Sequence, residues 1–307
     1  MTHRQKIAAR IKNHMSDCWQ LYLMLIPVLA YYIIFQYGPM YGIQIAFKKF
    51  SFSLGIHGSR YVGLQYFQEF FESIYFPRLM RNTILLSLYS LLIGFPAPIL
   101  LALLFNEVRK SRFLTVAQTS TYLPHFISLV VVCSLVKSFV ASNGLITTFL
   151  TYFGLEAHNY ILDEKAYRTI YVVSDIWQTA GWGSIIYFAA LSSIDPSLYE
   201  VAKLDGAGRI RQILSVTLPG LMPTIIVMLI LRIGHLMDLG FEKTLLLYNP
   251  STYETSDIIS SYVYRKGLEE MNYSYSTAVD FFNSVINFVL IISVNQLSKR
   301  VTNTSLF

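Results

Sequence analysis

The sequence predicts an all-α membrane protein with six transmembrane helices. Of its 307 residues, 54% are hydrophobic and only 14% are charged, and the mean hydropathy is +0.46. Soluble globular domains usually carry about 25% charged residues. A membrane-spanning helix needs about 20 mostly apolar residues, and six segments of roughly that length occur along the chain. No segment alternates polar and apolar residues as barrel strands do, and a backbone in lipid must bond with itself, so we expect helices.

The first apolar segment follows a basic N-terminus, which raises the alternative of a signal peptide. The run WQLYLMLIPVLAYYIIFQY is too long for the apolar region of such a peptide, and no small-residue cleavage site follows it. We therefore interpret it as a retained first span. The six predicted spans are residues 19–37, 82–105, 120–140, 169–191, 221–238 and 278–297.

The basic residues predict the orientation of these spans. Lys and Arg are about twice as dense in segments 1–18, 106–119, 192–220 and 298–307 as in the remaining loops. Loops rich in Lys and Arg stay in the cytoplasm, so we expect a multi-pass protein of the cell membrane with both termini cytoplasmic. The formal net charge of +6 then reflects topology and does not indicate a nucleic-acid partner.

No separate soluble domain can be cut from the chain. The longest predicted loop, Gly38–Arg81, is rich in aromatic residues, which favours anchoring at the outer membrane interface over docking of an external partner. The cysteines Cys18 and Cys133 predict no disulfide framework. The predicted organisation is a cytoplasmic segment 1–18, a first span with an interfacial loop 19–81, a core 82–297 that contains the cytoplasmic loop 192–220, and a tail 298–307.

The chain lacks the short motifs that would indicate an enzyme. GxxxxGK[ST], HExxH and GxSxG do not occur, so we expect neither ATP hydrolysis nor metallo- or serine hydrolysis by this chain. Asp175, Asp238 and Asp280 lie within predicted spans, but the paired YD and GxGD signatures of intramembrane aspartyl proteases are missing. We therefore predict a non-catalytic protein that binds no metal and no cofactor of its own.

The loop 192–220 is unusually elaborate for a connection between two spans. Asp195 followed by Pro196 is a helix start and predicts a helix from Pro196 to about Leu204. Glycines interrupt it, and a second short helix is predicted over 209–217, ended by Pro219. A connector whose apolar stripes rest on the ends of the spans is the alternative, but a connection needs only a few residues. We favour a helix displayed to a partner protein.

The residues of this loop resemble the EAA motif of binding-protein-dependent ABC transporter permeases. Val201 replaces the middle Ala, Val216 replaces the usual Ile, and Ile213 stands where Phe is common. By this resemblance, one set of residues in the loop is implied to contact the ATPase, and a second set, near the start of the next span, is implied to anchor the motif. The ATPase-coupling residues are Glu200, Ala202, Lys203, Asp205, Gly206 and Ala207, and the anchor residues are Leu218, Pro219 and Pro223.

Further segments resemble the carbohydrate branch of these permeases, in particular its lipoprotein-linked and alginate-type transporters. They are GPMYGIQIAF, GFPAPILLALLFNEVRK, YLPHFISLVVV, WGSIIYFAALSSIDPSLYEVAKLDGA and LGFEKTLLLYNP. The resemblance implies a type I ABC importer permease fold with a cytoplasmic coupling helix, and an oligosaccharide or polysaccharide fragment as cargo. It implies as partners a second permease, two ATPase subunits that use ATP and Mg²⁺, and an extracytoplasmic solute-binding lipoprotein. The alternative is a permease of the same fold for a peptide or a polyamine.

Polar residues in the spans are candidates for the substrate path. Sugars are held by hydrogen bonds and by aromatic rings, so Trp, Asn, Gln and charged residues are suitable. Such residues in spans are as often interhelical contacts. We also expect Arg232 to pair with Asp175, because both lie at similar depth in their predicted spans. The candidate path residues are Asp175, Trp177, Gln178, Trp182, Arg232, Asp280, Asn283 and Asn287.

Overall fold

The computed structural model describes residues 18–108, 112–154 and 156–302. Of the predicted terminal segments, only Cys18 and residues 298–302 fall within the described part. In the first half the α-helices are α1 (Trp19–Tyr32), α2 (Gly55–Gly58), α3 (Gln65–Glu72), α4 (Phe76–Tyr89), α5 (Pro96–Glu107), α6 (Arg112–Tyr122), α7 (Leu129–Phe139) and α8 (Leu145–Thr151). In the second half they are α9 (Glu164–Leu191), α10 (Pro196–Leu204), α11 (Arg209–Gln212), α12 (Leu218–Gly234), α13 (Phe241–Leu247), α14 (Tyr253–Ser256), α15 (Ile259–Tyr264) and α16 (Tyr273–Thr302).

Short turns of other helix types join several of these helices. They are the π turns Ile33–Tyr37, Ser90–Gly94, Ile213–Thr217 and Arg265–Glu269, the single α turn Gly38–Met40, and the 3-10 turns Tyr41–Phe47, Leu123–Phe126, Tyr160–Leu162 and Pro250–Thr252. The described sheet structure is one antiparallel pair of short strands, β1 (Lys48–Lys49) and β2 (Arg60–Tyr61). The described residues are therefore mostly helical, as the sequence predicts.

Four helical rods in the described residues are long and apolar enough to cross a membrane. They are Trp19–Phe47, Phe76–Glu107, Arg209–Gly234 and Tyr273–Arg300, and they contain or closely match four of the six predicted spans. The predicted span 120–140 falls on α6 and α7, which meet at an angle of 104° and add a fifth span if the pair crosses together. The predicted span 169–191 lies inside α9, which has 28 residues but is less apolar than these rods.

The bend between α6 and α7 has a polar side chain bound to it. Pro124 lies in the 3-10 turn before the bend, and Ile127 and Ser128 have extended backbone conformations. This interruption leaves carbonyl groups without helical partners, which is costly away from water. Gln178 of α9 donates from Nε2 to the carbonyl oxygen of Ile127 at 3.2 Å. The predicted path residue Gln178 therefore stabilises the break in the neighbouring helix.

Helix α9 lies at the centre of the fold and packs against α5, α6, α12 and α14. Its buried side chains include Tyr167, Tyr171 and Tyr187, which contribute to two of the three apolar cores. The third core is built around Phe70, Met237 and Tyr262. Few charged residues interrupt these contacts, because the charges of α9 lie near its start or face a polar cavity.

A buried carboxylate holds the segment before α16 against α4. The side chain of Asp257 is fully buried and lies 3.3 Å from Nη2 of Arg78 and 2.7 Å from Nη2 of Arg265. Ser261 donates to its other oxygen at 2.8 Å. The carbonyl oxygen of Asp257 also accepts from Nδ2 of Asn82 at 3.1 Å. A carboxylate with this many donors is stable out of water, and it fixes the position of α15.

The first helix contrasts with this packed region. No residue of α1 is buried, although the helix is strongly apolar. Its surface is therefore available to lipid or to another subunit.

Gly181 marks the closest approach of α9 to α6. A Cβ atom at Gly181 would overlap the backbone carbonyl of Thr121, which cannot move aside as a flexible side chain can. We expect Gly181→Ala to destabilise the protein by about 1–3 kcal/mol, the usual cost of overpacking. The measurement is the thermal unfolding midpoint of the purified protein in detergent.

The matched control is Gly94→Ala in the π turn Ser90–Gly94. A Cβ atom there would meet Ser90 Oγ at 3.8 Å and Ile176 at 4.0 Å, which are ordinary contacts. Equal unfolding midpoints for the two variants would contradict this account of the α6–α9 contact.

Candidate functional site: an exposed helix and a polar cavity

Helix α10 is present where the sequence predicts it. Asp195 is its N-cap, and its Oδ1 accepts the backbone N–H of Ser197 at 2.9 Å, while Pro196 occupies the first turn. This hydrogen bond holds the pKa of Asp195 below its ordinary value because it stabilises the carboxylate. The start of the helix is thus encoded locally.

The turn after α10 depends on Gly206. Its φ is +75°, a left-handed conformation that side chains with a Cβ rarely adopt. The N–H of Ala207 donates to the carbonyl of Ala202 at 2.9 Å, and Nε2 of Gln212 donates to the carbonyl of Ala207 at 2.7 Å. These bonds close the end of α10 and connect it to α11.

The second half of the loop differs from its prediction. Pro219 does not end a helix: α11 is only Arg209–Gln212, and the chain continues through the π turn Ile213–Thr217 into α12. Pro219 is accommodated because it lies in the first turn of α12, and Pro223 lies within that helix. Leu218 begins α12, so the predicted anchor residues sit in a continuous rod that runs from Arg209 to Gly234.

The apolar stripe of α10 does not rest on the spans. Of the predicted stripe, Leu198 and Val201 are 51% and 56% exposed and Ala202 is half-buried, while the nearby Leu204 is 88% exposed. Tyr199 reaches back, with its hydroxyl 3.0 Å from Thr217 Oγ1 in the π turn. The connector alternative required these apolar side chains to be covered by the rest of the chain. They are instead on the surface, together with Glu200, Lys203, Asp205 and Gly206.

A polar cavity of about 170 Å³ lies among α4, α9 and the end of α12. It contains Asp175 and Arg232, but the predicted ion pair between them is wrong. Asp175 Oδ1 binds Nζ of Lys243 at 3.2 Å, and Nη2 of Arg232 donates to Ser90 Oγ at 2.7 Å. Lys243 competes successfully because its side chain is only 3% exposed and needs an anion, whereas Arg232 is exposed. The lining residues are Ser87, Ser90, Leu129, Tyr171, Asp175, Arg232, His235, Leu236, Asp238, Leu239, Gly240 and Lys243.

Asn283 and Asn287 bind another helix and not the open cavity. Both donate from Nδ2 to Oδ1 of Asp238, at 3.3 and 2.8 Å, and the Oδ1 of Asn287 accepts the backbone N–H of Met237 at 3.0 Å. The second oxygen of Asp238 lies 3.4 Å from Nδ1 of His235. The asparagines therefore join α16 to the end of α12, which is the interhelical role that the sequence left open.

The remaining candidates are dispersed. The ring of Trp182 stacks on His125 with centroids 4.7 Å apart, beside the bend between α6 and α7. Trp177 lines an apolar cavity of about 700 Å³ between α7, α8 and α9, and Asp280 is exposed on α16. The structure thus brings Asp175 and Arg232 to one cavity and leaves Trp177, Trp182 and Asp280 outside it.

Lys243 is a charged residue of the cavity that the sequence analysis did not single out. It lies in the apolar run FEKTLLL, and a lysine in such a run was the signal available. Its Nζ also lies 4.8 Å from the ring centroid of Tyr171, a cation–π contact. Ser90 and Tyr171 carried no distinguishing pattern, because single hydroxyls in apolar helices are common.

Comparison with known families decides the class of this fold. Residues 94–303 match the family described as binding-protein-dependent transport system inner membrane component. The chain belongs to this family. The matched range includes α10, the rod Arg209–Gly234, and every residue of the polar cavity except Ser87 and Ser90.

Relatives extend the similarity of this transport component over nearly the whole chain. The polygalacturonan/rhamnogalacturonan transport system permease protein YteP of Bacillus subtilis is 46% identical over 91% of this chain and 88% of its own length. Protein LplB of Bacillus subtilis is 44% identical over 95% of this chain and 92% of its own length.

Solved structures of transporters are also similar to this chain. A bacterial ABC transporter involved in the import of the acidic polysaccharide alginate contains a chain 43% identical, with a TM-score of 0.87 over 95% of this chain and 99% of that chain. The alginate transporter in complex with an alginate pentasaccharide-bound periplasmic protein gives a TM-score of 0.88 at 43% identity, over 97% of this chain and 100% of that chain.

The ion pair between Lys243 and Asp175 generates a stability prediction. Lys243→Met leaves Asp175 unpaired, and breaking a fully buried pair costs about 3–5 kcal/mol. Asp175 is 31% exposed, so water compensates in part, and we expect a loss of about 1–3 kcal/mol. The thermal unfolding midpoint in detergent measures it.

The double variant Lys243→Met with Asp175→Asn is the control, because it removes the unpaired charge. We expect it to recover part of the lost stability. A double variant less stable than Lys243→Met alone would contradict the pairing.

Proposed function

We propose that this chain is a permease subunit of an ATP-driven ABC importer that translocates an oligosaccharide or polysaccharide fragment. The observation that carries the proposal is the similarity over nearly the whole chain, at 43–46% identity, to permeases of saccharide importers. The cargo is delivered by an extracytoplasmic solute-binding protein. The subunit is not an enzyme and binds no metal or cofactor, and ATP and Mg²⁺ are used by two partner ATPase subunits.

The proposed topology has six spans and both termini in the cytoplasm. Helix α9 is the fourth span despite its lower hydropathy, because it packs against four other helices and its exposed side carries the apolar residues Val173, Trp177 and Ile186. The bent pair α6–α7 is the third span. A second, different permease completes the path, and the fully exposed apolar surface of α1 is suited to lipid or to that subunit.

The exposed surface of α10 supports its role as the coupling helix. On this short helix three apolar side chains are more than half exposed, and the charged residues Glu200 and Lys203 are exposed beside them. Burying such a surface against another protein is favourable, and the charges can select the partner. We assign the ATPase contact to Glu200 through Ala207.

Reconstitution tests the function. The chain is purified in complex with its partner permease, ATPase and binding protein, and uptake of labelled oligosaccharides into proteoliposomes is measured with and without ATP. We expect ATP-dependent uptake that requires the binding protein. Uptake of labelled peptides or polyamines in place of saccharides would show that the cargo assignment is wrong.

Glycine 206 tests the coupling role. Gly206→Leu forces a side chain into the left-handed region, at a local cost of about 1–2 kcal/mol, and places it on the proposed contact surface. Nothing in this chain lies within 4 Å of a Cβ there. We expect ATP-driven uptake to fall to background while membrane insertion persists, and the same for Glu200→Lys.

Gly208→Ala is the matched control. Gly208 has a φ of −68° and equally open surroundings, so the alanine fits without strain. We expect near-normal uptake. Normal uptake in the Gly206→Leu and Glu200→Lys variants would contradict the assignment of α10 as the coupling helix.

A further inference from the structure

Arg232 has an unusual amount of unused hydrogen-bonding capacity. It lies in the last turn of α12, two residues before the helix ends at Gly234, so it is nearer the end of its span than the sequence predicted. A guanidinium offers five N–H donors. The one bond found for it is that from Nη2 to Ser90 Oγ at 2.7 Å, and across residues 18–108, 112–154 and 156–302 no carboxylate lies within 4.0 Å of it.

The charged groups around the cavity differ in their partners. Asp175 binds Lys243 through one oxygen, and Asp238 accepts from Asn283 and Asn287 and lies beside His235. The cavity lining thus holds two carboxylates, one lysine and one arginine. Of the two basic side chains, Lys243 has a carboxylate of the described residues within 4.0 Å and Arg232 does not.

The guanidinium is also oriented. Ser90 is 4% exposed and lies in the π turn Ser90–Gly94, so the oxygen that Arg232 binds belongs to a packed part of the fold. Arg232 itself remains exposed to the cavity. The planar guanidinium is thus held by Ser90 through one N–H group, and its other N–H groups are free of bonds to the described residues. A guanidinium in this state can bind a carboxylate through two parallel hydrogen bonds.

We propose that Arg232 binds the carboxylate of an acidic, uronate-containing saccharide as it passes along the translocation path, with Ser90 positioning the guanidinium. This assignment rests on the proposed function and names the class of its cargo. A neutral hydroxyl can accept a hydrogen bond from Arg232, but a hydrogen bond to a charged acceptor is stronger and can be bidentate. A carboxylate satisfies both the donors and the charge.

The test compares an acid with its uncharged ester in the same complete transporter. Galacturonate and alginate oligosaccharides and their methyl esters are supplied to proteoliposomes that hold the full complex, with the binding protein unchanged. The selectivity of the binding protein then cancels when variants are compared with the natural sequence. For Arg232→Gln we expect kcat/KM for the acids to fall about tenfold or more and that for the esters to change less than about twofold.

Two further variants separate charge from geometry. Arg232→Lys keeps the charge but loses the fork, so we expect an intermediate loss for the acids. Arg60→Gln is the matched control, since Arg60 is an exposed arginine in β2 and does not line the cavity. It removes the same charge and should leave the ratio of acid to ester uptake unchanged.

Other outcomes overturn the assignment. An equal loss for acids and esters in Arg232→Gln assigns Arg232 to the scaffold, and loss of the second permease on co-purification assigns it to a subunit contact. Import of esters alone by the natural transporter refutes the acidic cargo while the importer function stands. Import of neither class refutes the saccharide importer itself.

Discussion

The structure depends on one constraint: polar groups inside an apolar helical protein must find partners within the protein. Three such pairings determine much of the geometry around the cavity. Gln178 binds the carbonyl of Ile127 and stabilises the bend between α6 and α7. Asn287 binds Asp238 and holds α16 against the end of α12. Lys243 binds Asp175 and holds α13 against α9. Residues that look like substrate ligands in the sequence can therefore be the elements that shape the cavity.

The sequence predicted the features that depend on residues close together in the chain, such as apolar length, helix caps and turns. The apolar segments became helices because length and composition suffice to specify them. Helix α10 begins and ends as predicted, because Asp195 caps its first turn and Gly206 supplies the left-handed residue after it. Most of the motif residues from Glu200 to Ala207 are exposed for the same reason, and only Ala202 and Ala207 of this range are half-buried.

Tertiary contacts decided the features that the sequence could not supply. The pairing of Arg232 with Asp175 was inferred from depth alone, but α13 folds back and brings Lys243 to the same carboxylate. The sequence predicts a helix end at Pro219, yet this residue lies just after a π turn that continues the rod into α12. Both errors have one origin: the sequence pattern shows which residues are polar or helix-breaking, but not which element returns to meet them.

The exposed helix and the cavity are joined by a single element. Helix α10 leads through the Gly206 turn into the rod Arg209–Gly234, which is about 39 Å long at 1.5 Å per residue and carries Arg232 in its last turn. Tyr199 and Thr217 tie α10 to the first part of this rod, and Asn287 ties the segment just beyond its far end to α16. A displacement of α10 by a partner therefore acts on the same helix that positions Arg232 beside Ser90. In the proposed importer, the helix that contacts the ATPase adjoins one end of this rod, and the residue that binds the cargo lies near its other end.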